Sequence, residues 1–332
     1  MYDVYLVTGA TGFLGSTVVE QLAEKGARVI ALVMRDDPAK ERLPEGTEIA
    51  YGDVTDRKTL GEVFASLGEN ACVIHCAGIV SILSKPGPEL YRVNIDGTKN
   101  IVQMCRAHHV KKLVYVSSVH AIPEKPCGRV MREIRRFSPE LVEGGYAKSK
   151  AAATEYVLEN AGEELNASVV QPTGIIGPRD YGISNISRTI ISYCRGRLPA
   201  GVKGGYDFVD VRDVAAGVIS CAEKGRTGEC YILSSEYMTI KQMLQTLQRV
   251  SDGKKVRMFI PSGLAKAVSP AVEKISLKLK KKPFFTPYSI SVLGANGRFS
   301  HEKASKELGY SPRKLSRTLG DTYFWLKSIG YC

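Results

Sequence analysis

The sequence predicts a doubly wound α/β fold, a parallel sheet with helices on both faces, carrying a smaller C-terminal cap. Three observations carry that expectation. Short β-branched runs alternate with helical patterns through the first half of the chain, the runs are continuously apolar, and a glycine-rich turn joins the first run to the first helical pattern. Strand, helix, strand repetition builds parallel pairs through crossover helices. A strand covered on both faces has no polar side to alternate with, and Val29-Ile-Ala-Leu-Val-Met34 has none.

In chain order the expected elements are strand 4–7, helix 17–25, strand 29–34, helix 59–66, strand 72–75, helix 94–108, strand 113–117, helix 146–160 and strand 169–171. After Pro172 the rhythm breaks into a stretch rich in Gly, Ser, Arg and Pro. Residues 208–211 and 231–233 read as strands again, so the sheet is expected to be left and re-entered. This divides the chain into a dinucleotide-binding domain, 1–172 and 207–235, and a substrate-binding cap, 173–206 and 236–332.

A length of 332 residues suits one large or two intimate domains, and 44% apolar residues can fill a core. With 32 Gly and 15 Pro, disordered and collagen-like chains are excluded. The net charge of +12 is uneven, since 262–332 holds 13 Lys/Arg against four acids. The excess therefore sits in the cap, where it would attract an anionic cofactor or substrate. No recognised nucleic-acid module accompanies it, so no nucleic-acid partner is expected. No run approaches the ~18 apolar residues of a membrane span, and the chain opens directly on a strand without a signal-peptide pattern. A soluble protein follows. Eight cysteines without a C-x-x-C pair indicate buried thiols in a reducing, cytoplasmic compartment and nominate no metal ligands.

Thr8-Gly-Ala-Thr-Gly-Phe-Leu-Gly15 follows the first strand and opens a helix, a Gly-x-x-Gly-x-x-Gly form of the dinucleotide fingerprint. Glycine is needed where the backbone turns, meets a pyrophosphate, and packs helix on strand. Gly9, Thr11, Gly12, Phe13, Leu14 and Gly15 are thus cofactor candidates in a Rossmann-type sheet, with phosphates at the helix N-terminus. About 20 residues on, where an acid would hold the ribose of NAD, stands Arg35. Arg35 would pair with a 2′-phosphate and favours NADP; Asp36 or Asp37 would serve NAD, and a solvated loop position would equally explain Arg35.

Asp53 could accept from the adenine amine with Val54 covering the ring, while Asp56 reads equally as a helix N-cap. Cys76, Ala77 and Gly78 end the fourth strand with residues small enough for backbone to approach the cofactor, and His75 reads as a packed residue. Ser117-Ser118 ends the fifth strand, and Tyr146-Ala-Lys-Ser-Lys150 opens a helix. Tyr146 and Lys150 share one helical face, so an ammonium beneath the phenol would favour its ionised form and make it a usable acid or base. Ser118 could polarise the same oxygen.

With these residues the sequence resembles the extended short-chain dehydrogenase/reductase family, in its dihydroflavonol-reductase-like and epimerase/dehydratase branch. The matching segments are 8–15, 52–56, 75–78, 93–98, 115–118, 146–150, 171–178 and 208–217. The resemblance implies a Ser118, Tyr146, Lys150 triad, a supporting Asn94, a nicotinamide lined by Pro172, Thr173, Gly174 and Ile175, and a homodimer. Two departures stand out: Met34 occupies the place where the reductases carry their phosphate-binding Arg, and Gln171 replaces an Arg of many relatives. Asp213 fits the pattern too, and capping of the next helix explains it.

Three functions compete. Segments 79–83 and 284–290 suit reduction of a bulky carbonyl compound or oxidation of its alcohol. Arg179, Arg188, Arg195, Arg197 and Lys203 could instead clamp the diphosphate of a sugar nucleotide for an epimerase or dehydratase. A nonenzymatic dinucleotide sensor or interaction protein is the third, against which the intact triad argues. Finally, Leu264, Val268, Val272, Ile275 and Leu279 recur at helical spacing among lysines. That pattern suits a cap helix covering the site with its charges in water, in preference to peripheral membrane contact by 264–282.

Overall fold

The computed structural model describes residues 2–126, 128–251, 253 and 255–332. The first part runs β1 (Val4–Thr8), α1 (Phe13–Glu24), β2 (Val29–Val33), β3 (Glu48–Tyr51), α2 (Arg57–Phe64), β4 (Ala71–His75), α3 (Pro88–Tyr91), α4 (Thr98–Ala107), β5 (Lys112–Val116), α5 (Gly145–Glu159) and β6 (Ala167–Pro172). There follow β7 (Gly174–Ile176), α6 (Asn185–Cys194), β8 (Ala200–Val202), β9 (Gly205–Asp210), α7 (Val211–Lys224), β10 (Cys230–Leu233), β11 (Glu236–Thr239), α8 (Ile240–Val250) and β12 (Met258–Ile260). Helices α9 (Ser262–Lys278), α10 (Pro287–Gly294), α11 (Glu302–Leu308) and α12 (Leu315–Ser328) complete the chain.

Seven parallel strands lie in the order β3-β2-β1-β4-β5-β6-β10. The chain winds outward from β1 in one direction, then returns to β4 and winds in the other. This reversal opens a crevice beyond the carboxyl ends of β1 and β4, where such sheets bind ligands. Strand geometry sends alternate side chains to opposite faces. Tyr5 and Val7 accordingly join a core with Val18, Leu22 and Val218 of α1 and α7, while Val4 and Leu6 face Leu60, Phe64 and Ile101 of α2 and α4. Each fully buried side chain of this kind stabilises the fold by about 1.5–3 kcal/mol.

The expected return to the sheet is corrected in one respect. Residues 208–210 lie in β9, which pairs in parallel with β7 and antiparallel with β11 in a separate three-stranded sheet; re-entry is made by β10 alone. Helix 94–108 is likewise two pieces, a π-turn over Arg92–Gly97 running into α4. The seven described cysteines are free, four of them buried, and Cys127 lies outside the described residues. Among the described residues no helix is long and apolar enough to cross a membrane.

Candidate active site

The turn between β1 and α1 admits little but glycine. Gly9 has φ +64°, and a Cβ there would lie 2.7 Å from the Ala77 nitrogen; one on Gly15 would collide with the Gly9 carbonyl. Gly12 precedes α1 in extended conformation with no side-chain cap, and the first turn contains no acid. A helix start built this way offers N–H groups to a phosphate. Thr11 donates to Asp37 at 2.6 Å, and the other Asp37 oxygen accepts from Ala39 N at 2.9 Å. Phe13 and Leu14 are the first residues of α1. Arg35, exposed, lies 5.3 Å over the Tyr51 ring at the end of β3, and the Lys40 ammonium lies 5.2 Å over the same ring. The glycine cradle thus fits a dinucleotide, and Arg35 and Lys40 beyond β2 share the Tyr51 ring.

Asp53 accepts from Thr55 N at 2.8 Å, Asp56 caps α2 through Lys58 N, and Val54 is buried against Gly97. Beyond β4, Cys76 N donates to the Thr8 carbonyl and Ala77 N to the Thr8 hydroxyl. His75 is enclosed between the hydroxyls of Thr8 and Thr98, and burial pushes its pKa down to about 3. It is a neutral structural residue. Gly78 lies close to the site: a Cβ there would approach Asn94 Oδ1 at 3.3 Å and Lys150 Nζ at 3.4 Å. Asn94, buried in the π-turn, accepts from Ile79 N at 2.7 Å and donates to the Ile79 carbonyl and the Ser149 hydroxyl, each at 3.0 Å. It fastens the end of β4 to α5.

Ser118, Tyr146 and Lys150 are buried together where β5 meets α5. Ser117 and Thr154 hydroxyls, 2.6 Å apart, lock strand to helix there. Burial pushes the Tyr146 phenol up to about 12, against the downward pull of the Ser118 hydroxyl. Burial also pushes Lys150 down to about 8. Lys150 Nζ donates to the Val116 carbonyl at 2.8 Å and to the Tyr115 hydroxyl at 3.4 Å, and lies 5.0 Å over the Tyr115 ring. A buried ammonium must find acceptors, and the end of β5 supplies them.

Pro172 closes β6, and Thr173 donates to the buried Asp207 at 2.8 Å, while Gly174 and Ile175 lie in β7 against Phe208 and Val209 of β9. Burial raises Asp207 to about 7. Asp210, not Asp213, caps α7; Asp213 instead clamps Arg313.

Alongside Tyr146 opens a cavity of about 520 Å³ walled by His120, Met131, Val142, Tyr206, Tyr288 and Phe299 among others. His120 stacks on Tyr206, meets the Tyr146 ring edge-on at 5.8 Å, and engages the Tyr206 hydroxyl through Nε2 and that of Tyr288 through Nδ1. Burial holds it down to about 4, so the imidazole is neutral. Sequence reasoning missed His120 and Tyr206, whose only signal was proximity to Ser118 and to strand 208–211; Tyr288 and Ile290 lie in the apolar segment 284–290. Segment 79–83 is absent from the described lining.

The cationic clamp does not assemble. Arg179 pairs with Glu20, Arg188 donates to the Lys282 and Pro283 carbonyls, and Arg195 donates to those of Gly330 and Tyr331. None of these, nor Arg197 or Lys203, is among the described lining residues, whose charged members are Glu124, Glu143 and Lys266.

The profile of the NAD-dependent epimerase/dehydratase family matches residues 5–233. Over 327 residues the chain is 31% identical to sterol demethylase protein B of Methylococcus capsulatus, covering 98% of each. It is 27% identical to a decarboxylating sterol-4-alpha-carboxylate 3-dehydrogenase of Candida albicans, covering 97% of each. The solved structure of gox2253 superposes with a TM-score of 0.85 at 30% identity, over 99% of both chains.

Proposed function

This chain belongs to the NAD-dependent epimerase/dehydratase family, and from that premise we propose that it interconverts a bulky, largely apolar ketone and its secondary alcohol, using NADP. The observation that carries the reading is the cavity beside Tyr146, where aromatic and aliphatic side chains stand among Glu124, Glu143, Lys266 and Asn296 and arginine is absent from the described lining. A mixed wall of this kind can pack an apolar ligand against its rings and orient the ligand's polar atom. The two relatives named above carry sterol names, which supports a polycyclic substrate of that kind.

Tyr146 hands its proton to the carbonyl oxygen, and Ser118 donates its one hydroxyl hydrogen bond to that oxygen as charge develops. A bound nicotinamide supplies the hydride. Lys150, one turn along α5, gives the phenolate a positive neighbour once it forms. His120, neutral and held by two phenols, supports the Tyr146 ring from the cavity side. Arg35 and Lys40, converging on Tyr51, support NADP, since a 2′-phosphate calls for cations at the ends of β2 and β3.

The test is NADPH oxidation with a panel of ketones from small and polar to sterol-sized, beside UDP- and dTDP-sugars. Turnover rising with apolar bulk is expected. Conversion of a sugar nucleotide without net cofactor consumption, with every ketone inert, overturns the reading.

A further inference from the structure

We infer that α9 is a docking surface for an anionic lipid bilayer. The helix is turned about 100° from an arrangement that would bury its periodic apolar residues. Its inward face carries Ala265, Ser269 and Glu273, one turn apart and all buried, and the Glu273 carboxylate accepts the Ser84 N–H at 2.9 Å and the Ser84 hydroxyl at 2.8 Å. Its outward face carries Leu264, Val268, Ile275 and, just past the last turn, Leu279, which are 58%, 44%, 57% and 61% exposed. At about 100° per residue these four fall within an arc of about 60°. They form a continuous apolar ridge in water.

Scattered exposed leucines need no explanation, but an aligned set marks a contact surface. The charges beside the ridge say what the contact is. Lys274, Lys278, Lys280, Lys281 and Lys282 lie along and beyond the outer turns, and the single acid of 262–282, Glu273, is consumed on the inward side. A convex ridge of aliphatic side chains flanked by lysines matches a bilayer. The ridge enters the acyl boundary while the lysine stems reach up to anionic headgroups. A protein partner would have to bring a complementary groove.

The place of α9 gives the contact a use. Ser262, Gly263 and Lys266 of its first turns line the cavity beside Tyr146, so docking sets the mouth of that cavity at the lipid surface. Delivery of an apolar substrate from the bilayer rests on the function proposed above; the docking itself does not.

The test is flotation of the full chain with vesicles of phosphatidylcholine alone or with phosphatidylglycerol, at low and high salt. Wild type is expected to float with the anionic vesicles at low salt and to be released by high salt. Leu264→Ser, Val268→Ser, Ile275→Ser and Leu279→Ser together should lower that partitioning by about tenfold or more, as should Gln at the five lysines. None of these residues lines the cavity, and an unchanged NADPH-induced thermal shift shows that each variant is folded. The inference is overturned if wild type stays with the soluble fraction, or if both variants float as wild type does. It is also overturned if the serine variant merely abolishes a dimer seen by sedimentation, which would make the ridge an interface between copies. Loss of flotation with ketone turnover intact would leave both readings standing; absence of turnover with flotation intact would sink the function alone.

Discussion

Around β1 and α1 the binding surface is made of backbone, whereas around the cavity beside Tyr146 it is made of side chains. The first depends on atoms that are missing, at Gly9 and Gly15, and all of it comes from one turn and the strand end next to it. The second draws its wall from residues 119–124, 131, 141–147, 206, 262–266 and 288–299, brought together only by the complete fold. The difference teaches where specificity can change. A turn of fixed backbone holds one cofactor, while a wall assembled from many stretches can be altered one side chain at a time.

The largest effect expected on either side comes from their meeting point. Tyr146→Phe removes the acid and keeps the ring, so steady-state turnover should fall by about 10²–10⁴-fold while NADPH still raises the melting temperature. Loss of cofactor binding in that variant would break the separation between the two regions. Gly15→Ala should do the reverse, abolishing the NADPH-induced shift and costing about 1–3 kcal/mol in denaturant unfolding. Gly61→Ala, in open space on α2, should instead stabilise by about 0.5–1 kcal/mol.

A smaller effect concerns proton inventory. With Lys150 depressed to about 8, its ammonium is present below that value and lost above it. The reductive rate at saturating NADPH should therefore fall as pH rises through about 8, by up to about tenfold per unit. Asp207 bears on stability instead, since its carboxyl titrates near 7 in the fold and near ~3.9 when unfolded. Folded protein then holds more protons between these values, so stability should decline as pH rises from about 4 to 7. Asp207→Asn should remove that decline, which amounts to up to about 4 kcal/mol over the window, read as melting temperature against pH.

What could be read from residues alone follows the same divide. The glycine turn, the Ser118 strand end and the Tyr146 to Lys150 spacing are short-range patterns, and each landed in one place. Spacing tells that Lys150 shares a helical face with Tyr146 and says nothing of the Val116 carbonyl and Tyr115 hydroxyl that accept from it. The apolar residues at 264, 268, 275 and 279 pose a related problem. Periodicity aligned them correctly, but only the Glu273 contact with Ser84, 189 residues away, decides which side of the helix turns inward. His120 and Tyr206 had no pattern to betray them, being joined through the fold rather than along the chain.

The π-turn at Arg92–Gly97 has a consequence of phase. Helical residues advance about 100° each, and a wide turn holds back about one residue's worth of rotation. Within it Asn94 is set to face Ile79 and Ser149; beyond it Ile101 and Cys105 are set to face the core. A regular helix through the same span would offer a single setting for both. One surplus residue in the winding is what lets the same rod serve the active site and the hydrophobic interior at once.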